Sequence, residues 1–372
     1  MRAVGRDKNG SCAVAEPSIT FVGDVALPAG LPARVVGLGS VSLRNVVVNL
    51  EGAIATEDER NRGGGRRKLF SLYSSPEVLD ALREWGVQVA SLATNHITDF
   101  GRSPRKTIER LAGYGIGACG AGDGFEEARK PASVVMGGRR VVFLSFGWPT
   151  IECVPAAPDR AGVNPLWPRH VLGSVAEARR HWPDGLVVVL VHWNFEGERY
   201  PLPMDRQLAF EAVLAGADAV IGHHPHCVQG VEFFRGAPIV YSLGNWFLPQ
   251  GSWFGGVLRY PEYVLDELAF EWRPASEDSV CHWFRYDPVS HGVVYQASAS
   301  VGEDCRVAQL TPFAGMSHRE YVRWFRSNRT KRRGLPVYAD FRQGIRNAML
   351  DRWVALRQWG IVGLRGGLRL GG

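Results

Sequence analysis

The sequence has little cysteine and no motif that would pair it. Its six cysteines are scattered along the 372 residues, at Cys12, Cys119, Cys153, Cys227, Cys281 and Cys305, and no two of them form a Cys-x-x-Cys unit. A zinc ribbon and a disulfide-stapled small domain both need closely spaced cysteines. Both classes are therefore excluded, and we expect reduced thiols.

Long apolar segments are also missing. The longest apolar runs, such as LVVVLV at 186–191, are far shorter than the roughly 20 residues that cross a bilayer as a helix. Residues 1–20 contain no apolar stretch of the kind found in signal peptides. These absences predict a cytoplasmic protein with no membrane partner.

Three common catalytic motifs are absent. The chain has no Walker A phosphate loop, no G-x-S-x-G nucleophile elbow and no H-E-x-x-H zinc helix. The glycine pattern GIGACG at 115–120 follows a predicted helix, whereas a dinucleotide site follows a strand and opens a helix. We interpret it as a turn and expect neither NAD nor pyridoxal phosphate as a cofactor.

Positive charge is only slightly in excess of negative charge. The net charge is +6 and the pI is about 9.1. This excess fits an acidic partner, such as nucleic acid, anionic lipid or a peptide carboxylate, but it also fits a biased base composition of the gene. We favour the simpler interpretation and expect no nucleic-acid partner. The 45% of hydrophobic residues is typical of a globular protein with a sizeable core.

Strand-like and helix-like segments alternate from residue 19 onward. Buried-strand patterns such as ITFVGDVAL and GLVVVLVHW are separated by capped helices such as SPRKTIERLAGYG. This order predicts an α/β fold in layers. Three strands after residue 250 are predicted to form a second sheet, and a last helix is predicted over 337–360. We divide the chain into an N-terminal tail (1–18), a catalytic domain (19–295) and a helical extension (296–372).

Polar side chains follow nearly every predicted strand. They occur at Gly23-Asp24, Asn49-Leu50-Glu51, Asn95-His96, His192-Trp193, His223 to His226 and Gly244-Asn245. In open α/β sheets, ligands gather outside the carboxyl ends of the strands. Carboxylate, amide and imidazole groups that converge there form a set that suits a divalent ion. The sequence therefore predicts a metal site built from several strand ends.

Five of these segments resemble a known family in order and spacing. GDVAL, NLEGAI, SLATNHITDFG, HWNFEGERYPLP and GADAVIGHHPHCVQGVEFFRGAPIVYSLGNW are similar to segments of the CapA-type (poly-γ-glutamate capsule synthesis) family, a branch of the calcineurin-like metallophosphoesterases. The similarity covers residues 19–295. It implies an α/β calcineurin-like two-sheet sandwich flanked by helices, with a metal site at the sheet edge, and leaves the C-terminal residues as a helical extension.

The resemblance also implies roles for individual residues. The implied metal ligands are Asp24, Glu51, Asn95, His192 and His226, and the implied catalytic residues are His96, Asp99, His224 and Asp24. His96 is similar to the family's general acid, with Asp99 orienting its ring. His224 is a ligand or an acid/base group, and Glu51 has helix capping as its alternative role. His223 is expected to be an exposed loop residue.

The chain departs from ordinary phosphoesterases at the metal site. Ala26 stands where G-D-x-H places a histidine, and Asn49-Leu50-Glu51 replaces the usual bridging aspartate. A two-metal clamp needs a full double set of ligands, so a single divalent ion with acid/base histidines fits better. The oxygen ligands favour Ca²⁺ and the imidazoles favour metals such as Mn²⁺. Trp246 and Trp253, together with Asn245, are predicted to bind substrate. Core packing is the alternative for the tryptophans, and stabilisation of the loop through Asx hydrogen bonds is the alternative for Asn245.

CapA-like chains of this kind resemble the epimerases of lasso-peptide pathways, which invert a C-terminal tryptophan of a precursor peptide. The predicted function is therefore a metal-dependent peptide epimerase whose partner is a precursor peptide. A metal-dependent hydrolase of phosphoesters or γ-glutamyl amides is the alternative enzyme. A basic binding module that uses the arginine-rich C-terminal region is the non-enzymatic alternative. The absence of an anchor makes a capsule role the less favoured one, and the oligomeric state stays open.

Overall fold

The computed structural model of the chain describes residues 18–41, 43–62, 68, 70–101, 103–274, 276, 278–331 and 334–367, and for 362–367 the backbone only. Cys12 and all of the predicted tail except Ser18 lie outside the described residues.

Strands and helices alternate along most of the described chain. In chain order the strands are β1 (Ile19–Val25), β2 (Arg34–Val36), β3 (Val46–Leu50), β4 (Ala53–Ile54), β5 (Tyr73–Ser74), β6 (Val87–Ser91), β7 (Gly117–Cys119), β8 (Ala121–Gly122), β9 (Ala132–Met136), β10 (Arg139–Gly147), β11 (Gly162–Val163), β12 (Leu186–His192), β13 (Ala219–His223), β14 (Val231–Phe234), β15 (Ala237–Val240), β16 (Asn245–Phe247), β17 (Asp266–Trp272), β18 (Val280–Asp287) and β19 (Gly292–Ser300). The helices are α1 (Glu57–Arg62), α2 (Val78–Glu84), α3 (Arg105–Gly113), α4 (Phe125–Ala128), α5 (Pro168–His181), α6 (Pro203–Leu214), α7 (Cys305–Leu310), α8 (His318–Asn328) and α9 (Gly344–Gly367).

Two large sheets carry the fold. The first has the order β2-β19-β18-β17-β1-β3-β6-β7, with β16 also paired to β1, and the second has the order β14-β15-β13-β12-β10-β9. Strands β1, β3, β6 and β7 run parallel, as do β10, β12, β13 and β15. The predicted α/β fold with two sheets and flanking helices is confirmed.

The strands after residue 250 do not form a sheet of their own. Strand β17 pairs antiparallel with β1, from Ile19 opposite Trp272 to Phe21 opposite Phe270, and β18 and β19 follow it. The prediction of a separate sheet was wrong. The free edge of β1 has backbone N–H and C=O groups that need partners, and β17 supplies them.

The layer between the sheets explains the long apolar strands. Along β12, Leu186, Val188 and Leu190 share a buried cluster with Phe21 and Phe270 of the first sheet. The valines between them share another cluster with residues of α5 and α6. A strand covered on both faces needs apolar side chains at every position, because alternate residues point to opposite faces. Each such side chain contributes about 1.5–3 kcal/mol by its burial.

The last helix begins later than predicted. Helix α9 spans Gly344–Gly367, and 337–343 are not helical. The Tyr338 carbonyl oxygen accepts a hydrogen bond from Met204 N (3.0 Å), and Phe341 N donates to Gln207 Oε1 (3.3 Å). Hydrogen bonds to α6 therefore hold the start of the predicted helix in a non-helical conformation, and α9 begins only after it. Within the described residues, no helix combines the length and apolar character that a bilayer crossing requires.

A buried ion pair connects α6 to the edge strand β14. Arg206 donates to Glu232 through Nε (2.6 Å) and Nη2 (2.7 Å), and both residues are buried. Arg206 Nη1 also donates to the Met316 carbonyl oxygen, 3.0 Å away, just before α8. The pair therefore holds three segments together.

We predict that Arg206→Met lowers the free energy of unfolding by about 3 kcal/mol, because it leaves the Glu232 carboxylate buried without its cation. Arg342→Met, which removes an exposed ion pair with Glu211 at the other side of α6, should cost less than about 1 kcal/mol. Urea denaturation of both variants measures the difference. Equal losses in the two variants would contradict a structural role for the buried pair.

Candidate metal centre

The carboxyl ends of parallel strands from both sheets meet at one place. Asp24 on β1 lies opposite Asn49 on β3 and opposite Asn245 on β16. In the second sheet, His192 at the end of β12 lies opposite His223 at the end of β13. The polar strand ends therefore converge, as the sequence predicts, although they belong to two different sheets.

Two glycines permit close backbone contacts within each sheet, next to these strand ends. A Cβ atom at Gly23 would lie 2.1 Å from the Gly244 carbonyl oxygen, and one at Gly222 would lie 2.0 Å from the Tyr241 carbonyl oxygen. No side chain fits at either position. Each glycine directly precedes a buried polar residue of the site, Asp24 or His223, so the close backbone contact also fixes where that side chain begins.

The histidine loop has an unusual backbone. His224 has a φ of 93° and His226 a φ of 58°, in the left-handed backbone region that residues other than glycine rarely adopt. Such residues cost about 1–3 kcal/mol each and concentrate at functional sites. His223 was predicted to be exposed, and this was wrong: it ends β13 and is only 2% exposed. Burial lowers the pKa of His223 to about 4, although the charge of Asp24 opposes the shift.

Glu51, His192 and His224 form a group that fits a metal ion. One ligand atom from each lies within 4.8 Å of the other two, and all three residues are buried. His192 Nε2 lies 3.2 Å from His224 Nδ1, 3.5 Å from Glu51 Oε1 and 2.9 Å from Asn95 Oδ1. Among the described residues, Glu51 Oε1 has no hydrogen-bond partner. An orphaned carboxylate oxygen beside two facing ring nitrogens is what a divalent ion would satisfy.

The protonation states of this group also suit a metal. Burial alone would raise the pKa of Glu51, but the charge and hydrogen bond of His192 outweigh it and hold that pKa well below its usual range. Burial, together with the charges of His192 and His226, holds the pKa of His224 well below its usual range. At neutral pH Glu51 is therefore a carboxylate and His224 is neutral, which are the forms that bind metal.

Asp24 and His226 lie beside this group and contact each other. His226 Nδ1 lies 3.1 Å from Asp24 Oδ2 and 2.9 Å from Asn245 Oδ1. Burial disfavours a charge on His226, but the hydrogen bond and charge of Asp24, with Glu196 and Glu51 nearby, raise its pKa to about 9. The two residues thus form an ion pair at neutral pH, whereas the sequence assigned both of them to the metal.

A second histidine–aspartate pair has its own cation. His96 Nδ1 lies 2.5 Å from Asp99 Oδ2, which is the contact that the sequence predicts. Lys68 Nζ lies 2.7 Å from Asp99 Oδ1 and also donates to the Asn95 carbonyl oxygen. Asp99 is buried, and its negative charge is shared between His96 and Lys68. This arrangement fixes the His96 ring with its Nε2 directed away from the carboxylate.

Two adjacent cavities open on these groups. The first, called the His224 cavity, has a volume of about 770 Å³ and includes His224 and Lys331 in its lining. The second, called the His96 cavity, has a volume of about 250 Å³ and includes His96, His226 and Lys68. Their shared lining consists of Asn95, Glu152, Glu196, Arg357, Gln358 and Ile361. His224 of the metal group and the histidines of both histidine–aspartate pairs therefore line two adjacent cavities, which together are called the cleft.

A known family matches the part of the chain that carries most of this site. The family model described as bacterial capsule synthesis protein PGA_cap matches residues 42–250, more than half of the chain. The matched stretch contains Glu51, Asn95, His192 and His224. The chain belongs to the PGA_cap family. Because members of this family have the calcineurin-like fold, the family and fold class implied by the sequence motifs are both confirmed.

Individual relatives match the same region. The capsule biosynthesis protein CapA of Bacillus anthracis is 31% identical over 206 residues, which are 55% of this chain and 50% of that protein. The PGA biosynthesis protein CapA of Bacillus subtilis (strain 168) is 32% identical over 186 residues, 50% of this chain and 48% of that protein. The chain thus spans about half the length of these curated relatives.

A solved structure aligns with a larger part of the chain. A hypothetical protein from Thermus thermophilus aligns with 76% of this chain and 97% of its own, with 16% identity and a TM-score of 0.42. A likeness of that size carries no argument about activity.

The predicted substrate-binding tryptophans lie elsewhere in this PGA_cap chain. Trp246 is fully buried and packs edge-on against Trp85 and Phe284, so it belongs to the core and cannot touch a substrate. Trp253 is half-buried, lines neither cavity and donates to the Gln250 carbonyl oxygen. The apolar wall of the His96 cavity is formed instead by Phe70, Leu72, Leu258 and Tyr260. Asn245, also assigned to the substrate, contacts His226.

The sequence placed Asn49 in a strand-end set but gave it no role of its own, and it missed Lys68. Asn49 Nδ2 donates to Asp24 Oδ1 (2.8 Å) and Glu51 Oε2 (2.9 Å), so it connects the two carboxylates. The sequence did contain a signal for the role of Asn49. Residues 49 and 51 are two apart at a strand end, where alternate side chains share a face, so Asn49 could be expected beside Glu51. Lys68 gave no such signal, since it follows no predicted strand and belongs to the basic sequence RRK at 66–68.

We predict that His192→Ala weakens the binding of a divalent ion by at least about 100-fold, because ligand loss should cost more than loss of an outer-shell partner. His226→Ala should retain most of the metal, since His226 contacts Asp24 beside the group. Elemental mass spectrometry after metal loading and buffer exchange measures both. If His226→Ala loses as much metal as His192→Ala, then His226 is a metal ligand, as the family resemblance implies.

Proposed function

We propose that this chain is a metal-dependent, cofactor-independent peptide epimerase that inverts the Cα centre of the C-terminal residue, an aromatic one, of a precursor peptide. One observation carries the proposal: two histidine–aspartate pairs, His96–Asp99 and His226–Asp24, border the same cavity. Inversion at a carbon needs a base on one side and an acid on the other, and two such pairs fit that need.

The hydrogen bonds of each pair support these roles. Asp99 faces Nδ1 of His96, and Asp24 with Asn245 faces Nδ1 of His226. In both rings this leaves Nε2 for the substrate, and a carboxylate on the other nitrogen fixes the tautomer and raises the basicity of the ring. His224, for which the family resemblance implied a role as a ligand or an acid/base group, lies against His192 in the metal group.

The proton balance of the reaction is simple. One histidine removes the Cα proton from one face, and the protonated histidine opposite donates its proton to the other face. The substrate keeps its composition while one ring gains a proton and the other loses one, and exchange with solvent restores both. A divalent ion held by Glu51, Asn95, His192 and His224 would supply positive charge near the substrate carbonyl oxygen.

The shape of the His96 cavity supports an aromatic substrate side chain. Phe70, Leu72, Leu258 and Tyr260 form an apolar wall opposite the polar groups. His226 and Tyr260 lie with ring centroids 5.4 Å apart, so the apolar wall reaches the proposed acid/base group. Aromatic side chains prefer such offset or edge contacts, and the volume of about 250 Å³ suits one large side chain.

A metal-dependent hydrolase is the second candidate. Family membership favours it, since the Bacillus relatives are named for capsule and PGA biosynthesis, which suggests a γ-glutamyl polymer as the substrate class. Ala26, which follows β1 and is fully buried, weighs against a hydrolase. A two-ion clamp would need another metal ligand near that position. The two candidates differ in products: a hydrolase cleaves its substrate, whereas an epimerase leaves its mass unchanged in ordinary water.

We predict that synthetic peptides ending in L-tryptophan, L-phenylalanine or L-tyrosine gain one deuteron at the terminal Cα in deuterium oxide as the D-form appears. His96→Ala and His226→Ala should each lower inversion by about 100-fold or more, because general acid–base groups contribute about 10²–10⁴-fold. Mass spectrometry and chiral analysis of the hydrolysed peptide measure both quantities.

His181→Ala is the matched control, because His181 is exposed at the end of α5, away from the cleft, and its loss should leave the rate unchanged. Inversion without deuterium uptake, or full activity in both site variants, contradicts the two-histidine scheme. Cleaved peptide or sustained turnover of aryl phosphates would favour the hydrolase.

A further inference from the structure

Helix α9 contributes side chains to the candidate site although it lies outside the family match. Arg357, Gln358 and Ile361 line both the His224 cavity and the His96 cavity. The family model ends at residue 250, nearly one hundred positions before the helix begins. What α9 adds to the cleft is therefore a property of this chain's own extension.

The inner face of α9 is fixed by specific contacts. Val354 is 1% exposed, and Asp351 Oδ1 accepts hydrogen bonds from Thr150 Oγ1 (2.6 Å) and Tyr338 OH (2.7 Å). Thr150 belongs to a short helical turn, Pro149–Ile151, that is followed by Glu152 at the cavity wall. Trp353 Nε1 donates to the Gly334 carbonyl oxygen, 3.0 Å away. The helix is thereby held with Arg357 over the cleft.

A second cation reaches the same cavity from a neighbouring loop. The backbone N–H groups of Thr330 and Lys331 donate to the Glu198 carboxylate, at 2.9 and 2.8 Å, and Glu198 is 1% exposed. This buried carboxylate follows β12, in the loop that also carries Glu196. Lys331 and Arg357 both line the His224 cavity, so two cations border the space next to the metal group.

These two cations have no ion-pair partner within the part of the chain that the structure describes. Glu152 and Glu196 line the same cavity, yet neither forms a salt bridge with Lys331 or Arg357 there. Arg357 is half-buried. A guanidinium has a rigid fork of N–H donors that matches a carboxylate, and a partly desolvated one gains most from such a partner.

We propose that Arg357, assisted by Lys331, binds the free α-carboxylate of the substrate's C-terminal residue. This inference rests on the proposed epimerase function and gives it a specificity: the enzyme acts on a terminal residue with a free carboxylate. The proposed proton removal also benefits from a contact between a guanidinium and the substrate carboxylate. A carboxylate next to Cα disfavours the negative charge that develops when the proton leaves, and a bound guanidinium offsets that effect.

The test measures binding, without turnover, to the metal-loaded full chain. The probes are two fluorescent peptides that end in L-tryptophan, one with a free carboxylate and one with a terminal carboxamide. Wild type should bind the acid about tenfold more tightly or better, as expected for a charge-assisted hydrogen bond. Arg357→Gln should abolish this preference, and Arg357→Lys should restore part of it.

Arg352→Gln is the matched control, because Arg352 is exposed on the same helix and lines neither cavity. It should keep the wild-type preference. The inference is overturned if wild type binds the two probes equally or binds neither, or if Arg357→Gln keeps the preference. A wild type that prefers the acid but never inverts it would contradict the epimerase function alone, so the two failures are distinguishable.

Discussion

The meeting of the carboxyl ends of parallel strands from two mixed sheets is the constraint on which the rest of the site depends. Beside it, Gly23 and Gly222 leave no Cβ where each meets a neighbouring backbone of its own sheet, at Gly244 and at Tyr241. Carboxylates of the first sheet are thereby enclosed with histidines of the second, away from water. Buried charges must be compensated, and the amide of Asn49, the His226 ring and Lys68 do so for Asp24, Glu51 and Asp99. The acid–base character of the site follows from this enclosure.

The sequence predicted which strand ends would meet, because apolar strands followed by polar residues obey a simple geometric rule in parallel sheets. It could not predict how the histidines divide their roles. That division depends on the left-handed backbone at His224 and His226, which turns one ring toward His192 and the other toward Asp24. Strand pattern contains no information about such a loop. The same limit applies to Trp246, since an apolar aromatic residue fits a core and a substrate wall equally well.

The C-terminal extension was the least predictable part of the cleft. Its amphipathic pattern indicated a helix, but not the surface on which that helix packs. Asp351, Val354 and Trp353 hold α9 in place through contacts with residues far away in the sequence. The cleft therefore combines a wall from the PGA_cap family region with a wall from outside it.

The central claim is that one divalent ion occupies the Glu51–His192–His224 group while Asp24 and His226 remain an acid–base pair. Anomalous X-ray diffraction from crystals loaded with Mn²⁺ tests it most directly. The account predicts a single anomalous peak in contact with His192, His224 and Glu51, and His226 still paired with Asp24. A second peak coordinated by Asp24 and His226 would contradict it, because the residues assigned to proton transfer would then be ligands of a two-ion hydrolytic centre.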